Sequence, residues 1–188
     1  DFESTRSYAV SAVVVHNVGE YRADASTVLL LHMNETTGLT TSDVSGRSNH
    51  GAAIGTAILD GRFGKARQFN GTSDVINTTY NGNFSTNPFT VEFWVYLNSL
   101  TSANGHQNII GNRLPQNSNT WWVGVFDDGR INVDGGNGAN TSNPGDITAS
   151  RWYHIGVTRN ASNVLMIYKN GIVVKTGTQS GNLTGGTN

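Results

Sequence analysis

The carboxylates of this chain could support catalysis only if their spacing brought two of them together. Retaining hydrolysis of a glycosidic bond uses two carboxylates about 5 Å apart, and residues two apart on a strand share a face. The glutamates are Glu3, Glu20, Glu35 and Glu92, and none is followed two residues later by a second carboxylate. Hydrolase activity is therefore disfavoured, and Glu92 is expected to pair with a neighbouring Arg or Lys.

The histidines and serines also lack the spacing of a zinc or nucleophilic site. No two histidines are four residues apart, as two zinc ligands on one helix would be, and no Gly-x-Ser-x-Gly turn occurs. The chain contains no cysteine, which excludes disulfides, thiol nucleophiles and cysteine-bound zinc. His154 is interpreted as a structural residue that forms hydrogen bonds.

Aromatic and amide side chains favour another kind of chemistry, the binding of sugars. Aromatic rings stack on the apolar face of a pyranose, while amide and guanidinium groups bind its hydroxyls. Trp121 and Trp122 are adjacent, so on a strand their rings point to opposite faces and one can be exposed. The sequence predicts a ligand-binding patch formed by Trp121, Trp122, Asn104, His106, Asn108 and Arg113. The alternative, that packing or a partner chain covers both rings, stays open.

The elements that carry these residues are predicted to be short strands. The 188 residues are rich in Gly, Asn, Ser and Thr, which suits tight turns, and no stretch has a convincing 3.6-residue period. Only 13% are charged and the formal net charge is −1, so nothing indicates binding to nucleic acid. No apolar run approaches the roughly 20 residues of a membrane-spanning helix, so membrane insertion is not expected.

The longest predicted strand ends near Leu97. One of its faces carries Phe89, Val91, Phe93, Val95 and Leu97, and the other carries Thr90, Glu92, Trp94 and Tyr96. A strand with one apolar and one partly aromatic face is typical of the centre of a packed sheet. With further strands closed by turns such as Asp127-Asp128-Gly129, the pattern predicts an all-β, two-sheet antiparallel sandwich of the jelly-roll type.

Two stretches stand apart from this pattern. Residues 1–26 carry scattered charges and are interpreted as a linker or docking arm, with the first strand of the sandwich as the alternative. Residues 27–188 are then the jelly-roll domain. The Gly- and Asn-rich stretch from Gly135 to Asp146 has no apolar anchor and is predicted to be an exposed loop.

Four stretches carry a resemblance to a known family: Asp43-x-Ser45-Gly46…His50-Gly51, Phe63-Gly64-Lys65-Ala66…Phe69-x-Gly71, Phe89-Thr90-Val91-Glu92-Phe93-Trp94-Val95 and Trp152-Tyr153-His154…Tyr168-x-Asn170-Gly171. In this order they resemble the laminin-G-like, concanavalin A-like lectin/glucanase jelly rolls, from about Val28 onward. The resemblance implies two packed antiparallel sheets that bind carbohydrate or mediate adhesion. It also implies two strands beyond the last Asn-Gly turn, so we expect a jelly roll that lacks its last strands here.

The resemblance further implies that a structural calcium ion is sometimes present. Calcium takes oxygen ligands, and Asp43, in the Asp-x-Ser-Gly stretch, is the residue that would supply a carboxylate. The alternative is that Asp43 stabilises the turn in which it lies.

These observations predict a non-catalytic carbohydrate-binding or adhesion module at an extracellular or virion surface, such as a phage tail or capsid surface. Its expected partners are a glycan or cell-surface polysaccharide and other chains of an assembly. A structural decoration or cement domain without glycan binding is the alternative, and a glycoside hydrolase is the third hypothesis.

Overall fold

The computed structural model describes residues 21–112, 120–135 and 138–184, together with the backbone of Ser11–Val15. All of the regular elements in these residues are strands, and no helix there is long and apolar enough to cross a membrane. The strands are β1 (Ser11–Val15), β2 (Thr27–Leu30), β3 (Thr40–Thr41), β4 (Gly51–Ile54), β5 (Ala57–Asp60), β6 (Lys65–Gln68), β7 (Val75–Thr78), β8 (Phe89–Tyr96), β9 (His106–Gly111), β10 (Trp121–Phe126), β11 (Ile131–Gly135), β12 (Gly138–Thr141), β13 (Trp152–Arg159), β14 (Val164–Lys169) and β15 (Ile172–Thr178).

The strands form two main sheets. One has six strands in the order β15-β14-β13-β8-β1-β2, and the other has four in the order β12-β11-β10-β9. A three-stranded sheet (β3-β4-β7) and the hairpin β5-β6 accompany them. The described pairings are antiparallel except those of β1, which runs parallel to β2 and β8.

The core lies between the two main sheets, as alternation in the strands predicts. Strand β8 buries Phe89, Val91 and Phe93, and β10 buries Val123 and Val125 from the opposite sheet. Burying a large apolar side chain contributes about 1.5–3 kcal/mol, so these inward rows hold the sheets together. The predicted all-β sandwich is confirmed.

Strand β1 lies within the stretch interpreted as a linker or docking arm. Its backbone pairs with Thr27–Leu30 on one side and Phe89–Phe93 on the other. The division of the chain at residue 27 stays a prediction.

Part of the stretch from Gly135 to Asp146 is a strand and not the exposed loop that its composition predicts. Gly138–Thr141 pairs with β11, and Asn140 is 7% exposed and donates from Nδ2 to the carbonyl oxygen of Thr178 at 3.2 Å. The prediction is wrong because backbone pairing and an amide contact hold this strand, and neither leaves an apolar pattern in the sequence.

Candidate functional site

Four aromatic side chains form a block on the outer face of the six-stranded sheet. Trp94 and Tyr96 extend from β8 on the side opposite its core residues, and Trp152 and His154 extend from β13. In the register of the sheet, Tyr96 lies opposite Trp152 and Trp94 opposite His154, with ring centroids 5.6 and 5.3 Å apart. Tyr96 is 40% exposed and the other three are partly exposed. These four residues are called the aromatic platform.

The turn after β14 holds one end of the platform in place. Asn170 has a left-handed φ of 51° and is followed by Gly171 at 81°, the conformation of a tight hairpin turn. The Oδ1 atom of Asn170 accepts a hydrogen bond from the backbone N–H of His154 at 2.9 Å, and its own N–H donates to the carbonyl of His154 at 2.8 Å. Strand β13 is thereby fixed where His154 emerges.

The tip of the β5–β6 hairpin borders the platform. The N–H of Gly61 donates to the carbonyl of Gly64 at 2.7 Å, which closes the tip. The ring of Phe63 meets that of Trp94 edge-on, with centroids 5.5 Å apart and planes at 82°. The guanidinium carbon of Arg62 lies 4.9 Å from the Trp94 centroid and 5.3 Å from that of Phe63.

A carboxylate lies beside the platform. The side chain of Glu92 is 14% exposed, and one oxygen is 3.5 Å from Nε2 of His154. Burial raises the pKa of Glu92, although a hydrogen bond from the hydroxyl of Tyr21 acts in the opposite direction. Burial, the charge of Glu92 and this hydrogen bond raise the pKa of Tyr21 to about 12. Among the described residues, the partners of Glu92 are therefore His154 and Tyr21, and not the Arg or Lys that the sequence predicts.

The predicted ligand-binding patch lies partly on the outer face of the other main sheet. The rings of His106 and Trp122 are 5.1 Å apart, and Nδ1 of His106 is 3.0 Å from the backbone oxygen of Asn104. Asn104 and Asn108 are exposed. Trp122 is only 5% exposed, and its Nε1 donates to Oδ2 of Asp134 at 3.2 Å.

The other tryptophan of the pair faces the opposite way. Trp121 is 3% exposed and lies in the core, where Nε1 donates to the carbonyl of Gly82 at 2.7 Å and the ring lies 4.9 Å from that of Phe84. Arg113 lies outside the described residues. The patch therefore unites Trp122, His106 and Asn104, and its binding role stays a prediction.

The geometry at Asp43 can be compared with that of a calcium ligand. Oδ1 accepts hydrogen bonds from the N–H groups of Leu30 and Ser45, and Oδ2 accepts them from the hydroxyl of Ser45 and the N–H of Asn49. Burial raises the pKa of Asp43, but these hydrogen bonds outweigh it and hold the pKa below its usual value. Both oxygens are occupied, and the described residues contain no cluster of three or more metal-binding side chains. Asp43, with both oxygens hydrogen-bonded in its own turn, does not fit a calcium ligand, and the presence of calcium stays a prediction.

The family model described as the concanavalin A-like lectin/glucanases superfamily matches residues 70–188. This chain belongs to that superfamily. The match begins before β7 and includes β8 and β13, the two strands that carry the platform.

Comparison with solved structures shows the same fold. The chain is similar to the crystal structure of the binding domain of Paraclostridial Mosquitocidal Protein 1, with a TM-score of 0.59 and 17% sequence identity. The similarity covers 78% of this chain and 41% of that one, so the chain spans less than half the length of that structure. No curated protein matches the chain.

The superfamily includes glucanases, which are enzymes that hydrolyse glycosidic bonds. A retaining glycosidase requires a second carboxylate about 5 Å from the first. The groups that contact the carboxylate of Glu92 are the ring of His154 and the hydroxyl of Tyr21. Glu92 can accept a hydrogen bond from a ligand hydroxyl, and the non-catalytic character of the chain stays a prediction.

The platform was missed in the sequence because its two strands are far apart along the chain. The outward faces of both strands can be read from the alternation of residue types. What the sequence lacks is the register that places Tyr96 opposite Trp152, since β8 and β13 are separated by four other strands.

Proposed function

We propose that this chain is a non-catalytic carbohydrate-binding module whose ligand lies across the aromatic platform. The observation that carries the proposal is the arrangement of Trp94, Tyr96, Trp152 and His154 as two directly opposed pairs on one outer sheet face. The lectin-like superfamily is consistent with it.

The dimensions of the platform suit a chain of sugars. Successive outward residues on a strand lie about 7 Å apart, and neighbouring strands about 4.8 Å apart. Four rings at these spacings can contact more than one pyranose through the apolar faces of the sugars. Glu92, at the end of the block formed with Trp94 and His154, offers an acceptor for a hydroxyl group.

Binding of a sugar needs only the rings and the acceptors that are present, so no catalytic role is included. An extracellular or virion-surface location and a role in adhesion follow as predictions, because polysaccharides are found at those surfaces. Calcium is not assigned a part, since both oxygens of Asp43 are already hydrogen-bonded within their own loop.

Trp152→Ala tests the proposal on a glycan array and by titration with the glycans that bind. We expect affinity to fall roughly tenfold, because aromatic stacking contributes about 0.5–1.5 kcal/mol in addition to the apolar area that it buries, and about 1.4 kcal/mol corresponds to a factor of ten. Phe69→Ala is the matched control, since it removes a ring that is 43% exposed and lies at the other end of the β5–β6 hairpin. Binding by the control should match the unmodified protein.

The same array distinguishes the alternatives. Binding that persists in a chelator supports the proposal without calcium, whereas binding lost on chelation would assign a metal a role. An array without any bound glycan, for a protein that folds, would contradict the proposal and favour a structural decoration domain. Equal binding by Trp152→Ala and the unmodified protein would place the ligand on another surface.

A further inference from the structure

Arg62 differs from the other described arginines that lie over aromatic rings. Arg130 lies 4.9 Å from the centroid of Phe126 and forms an ion pair with Asp128 at 2.7 Å. Arg159, over Phe89, is 1% exposed and donates to backbone carbonyls. Within the part of the chain that the structure describes, Arg62 forms no ion pair, and it is exposed.

The acidic groups near Arg62 in the sequence and on the platform are already engaged. Asp60, two residues away, accepts from Nζ of Lys65 at 2.7 Å. Glu92 is withdrawn from water and contacts His154 and the hydroxyl of Tyr21. The exposed Asp60 and the partly exposed Lys65 compensate each other, so Arg62 brings an exposed cationic charge without an ion pair among the described residues to this edge of the platform.

Two rings restrict the position of this guanidinium group. It lies over both Trp94 and Phe63, so its plane is held beside the platform while its N–H groups can face a ligand. A guanidinium group held this way loses less side-chain entropy on binding, and its fork of donors matches both oxygens of a carboxylate.

We infer that the ligand of the platform is an acidic polysaccharide, built from pyranose units that carry a carboxylate, and that Arg62 binds this carboxylate. The inference rests on the proposed function and adds the chemical class of the ligand. The sugar rings stack on Tyr96 and Trp152, while the acid group of a neighbouring unit reaches Arg62 beside Trp94.

The test uses three uronate polymers, polygalacturonate, alginate and hyaluronate, each compared with its carboxyl-reduced, neutral form. We expect at least one uronate polymer to bind and its reduced form to bind at least about tenfold more weakly, the usual scale for a charge-assisted hydrogen bond. Arg62→Gln should weaken binding of the acidic polymer by a similar factor, and Arg62→Lys should restore only part of it.

Arg130→Gln is the matched control, because it removes the same charge from a guanidinium group stacked at the same distance on the other main sheet. It should leave the affinity unchanged. Polyglutamate, an anion without sugar rings, should bind far more weakly than the uronate polymer that binds.

The two levels of the proposal fail in different ways. A neutral glycan that binds, loses affinity in Trp152→Ala and is unaffected by Arg62→Gln would overturn the acidic ligand while keeping the proposed function. Equal affinity for the acidic polymers and their carboxyl-reduced forms would likewise overturn the acidic ligand and keep the proposed function. Absence of binding to every acidic and neutral glycan, by a folded protein, would overturn both.

Discussion

The carboxylate of Glu92 is largely removed from water although it lies on the outer face of a sheet. The side chain of Tyr21 approaches it from a segment that precedes β2, and His154 lies beside it on β13. Burial disfavours a charged carboxylate, so the folded state holds the proton of Glu92 more tightly than the unfolded chain does. This residue should therefore make the stability of the protein depend on pH.

Glu92 should destabilise the folded protein as the pH rises above the acidic range. The folded pKa of Glu92 is raised above its ordinary value of 4.5, so its contribution to stability is fully present below about pH 4.5 and is lost as the pH rises through the folded pKa. Glu92→Gln cannot ionise and should lack this loss. The free energy of unfolding of the unmodified protein, minus that of Glu92→Gln, should fall as the pH increases from 4 to 7 in urea titrations.

Tyr21→Phe provides a second variant for the same measurement. The hydroxyl of Tyr21 lowers the pKa of Glu92, so removing it should move the fall to higher pH. A difference in unfolding free energy that stays constant across this pH range would contradict the raised pKa.

At the scale of elements, two glycines at strand positions illustrate how tightly the sheets are packed. A Cβ atom on Gly124 of β10 would overlap the backbone oxygen of Gln107 and the ring of Trp122. A Cβ atom on Gly156 of β13 would meet its nearest neighbour, Tyr168, at an ordinary 3.6 Å. Glycine is therefore required at position 124, whereas position 156 has room for a methyl group.

These glycines give a matched pair of substitutions. Gly124→Ala should lower the free energy of unfolding by about 1–3 kcal/mol, because β9 and the indole of Trp122 must shift to admit the methyl group. Gly156→Ala should stay within about 0.5 kcal/mol of the unmodified protein. Chemical denaturation of both variants measures the difference in the free energy of unfolding. Equal stabilities would contradict the prediction, because they would show that β9 and Trp122 can shift without loss of stability.

At the scale of the whole molecule, one buried cation links distant segments. The guanidinium group of Arg159, at the end of β13, donates to the carbonyl oxygens of Ser85 and Asn87 before β8 and of Gly181 after β15. It also lies 5.0 Å from the ring centroid of Phe89. Arg159 thereby joins the segment before β8 and the segment after β15 to the end of β13, beside the bridge in which the N–H of Leu183 donates to the carbonyl of Ser85 at 3.0 Å.

Arg159→Met tests the contribution of this link. The substitution keeps an unbranched apolar stem but removes the charged donor to the carbonyl oxygens of Asn87 and Gly181, and a hydrogen bond from a charged group contributes about 1.5–3 kcal/mol. We expect the free energy of unfolding to fall by at least about 2 kcal/mol in a denaturant titration. Arg151→Met, at an exposed position just before the same strand, should change it by less than about 0.5 kcal/mol. Similar losses in both variants would contradict a specific role for Arg159.

The strand content and the orientation of side chains were accessible from the sequence, because alternation is a property of neighbouring residues. The apolar parity of Phe89–Leu97 predicted the buried face of β8, and the opposite orientations of Trp121 and Trp122 followed from their adjacency. Motifs spread along the chain indicated the superfamily to which it belongs.

Relations between segments distant in the sequence were decided only by the tertiary structure. The pairing of Tyr96 with Trp152, the approach of Arg62 to Trp94 and the contact between Tyr21 and Glu92 each join separate elements. Alternation states which way a side chain points, but not which strand lies beside it or which loop reaches it. That information resides in sheet register and packing, because both depend on the energy of the whole sandwich.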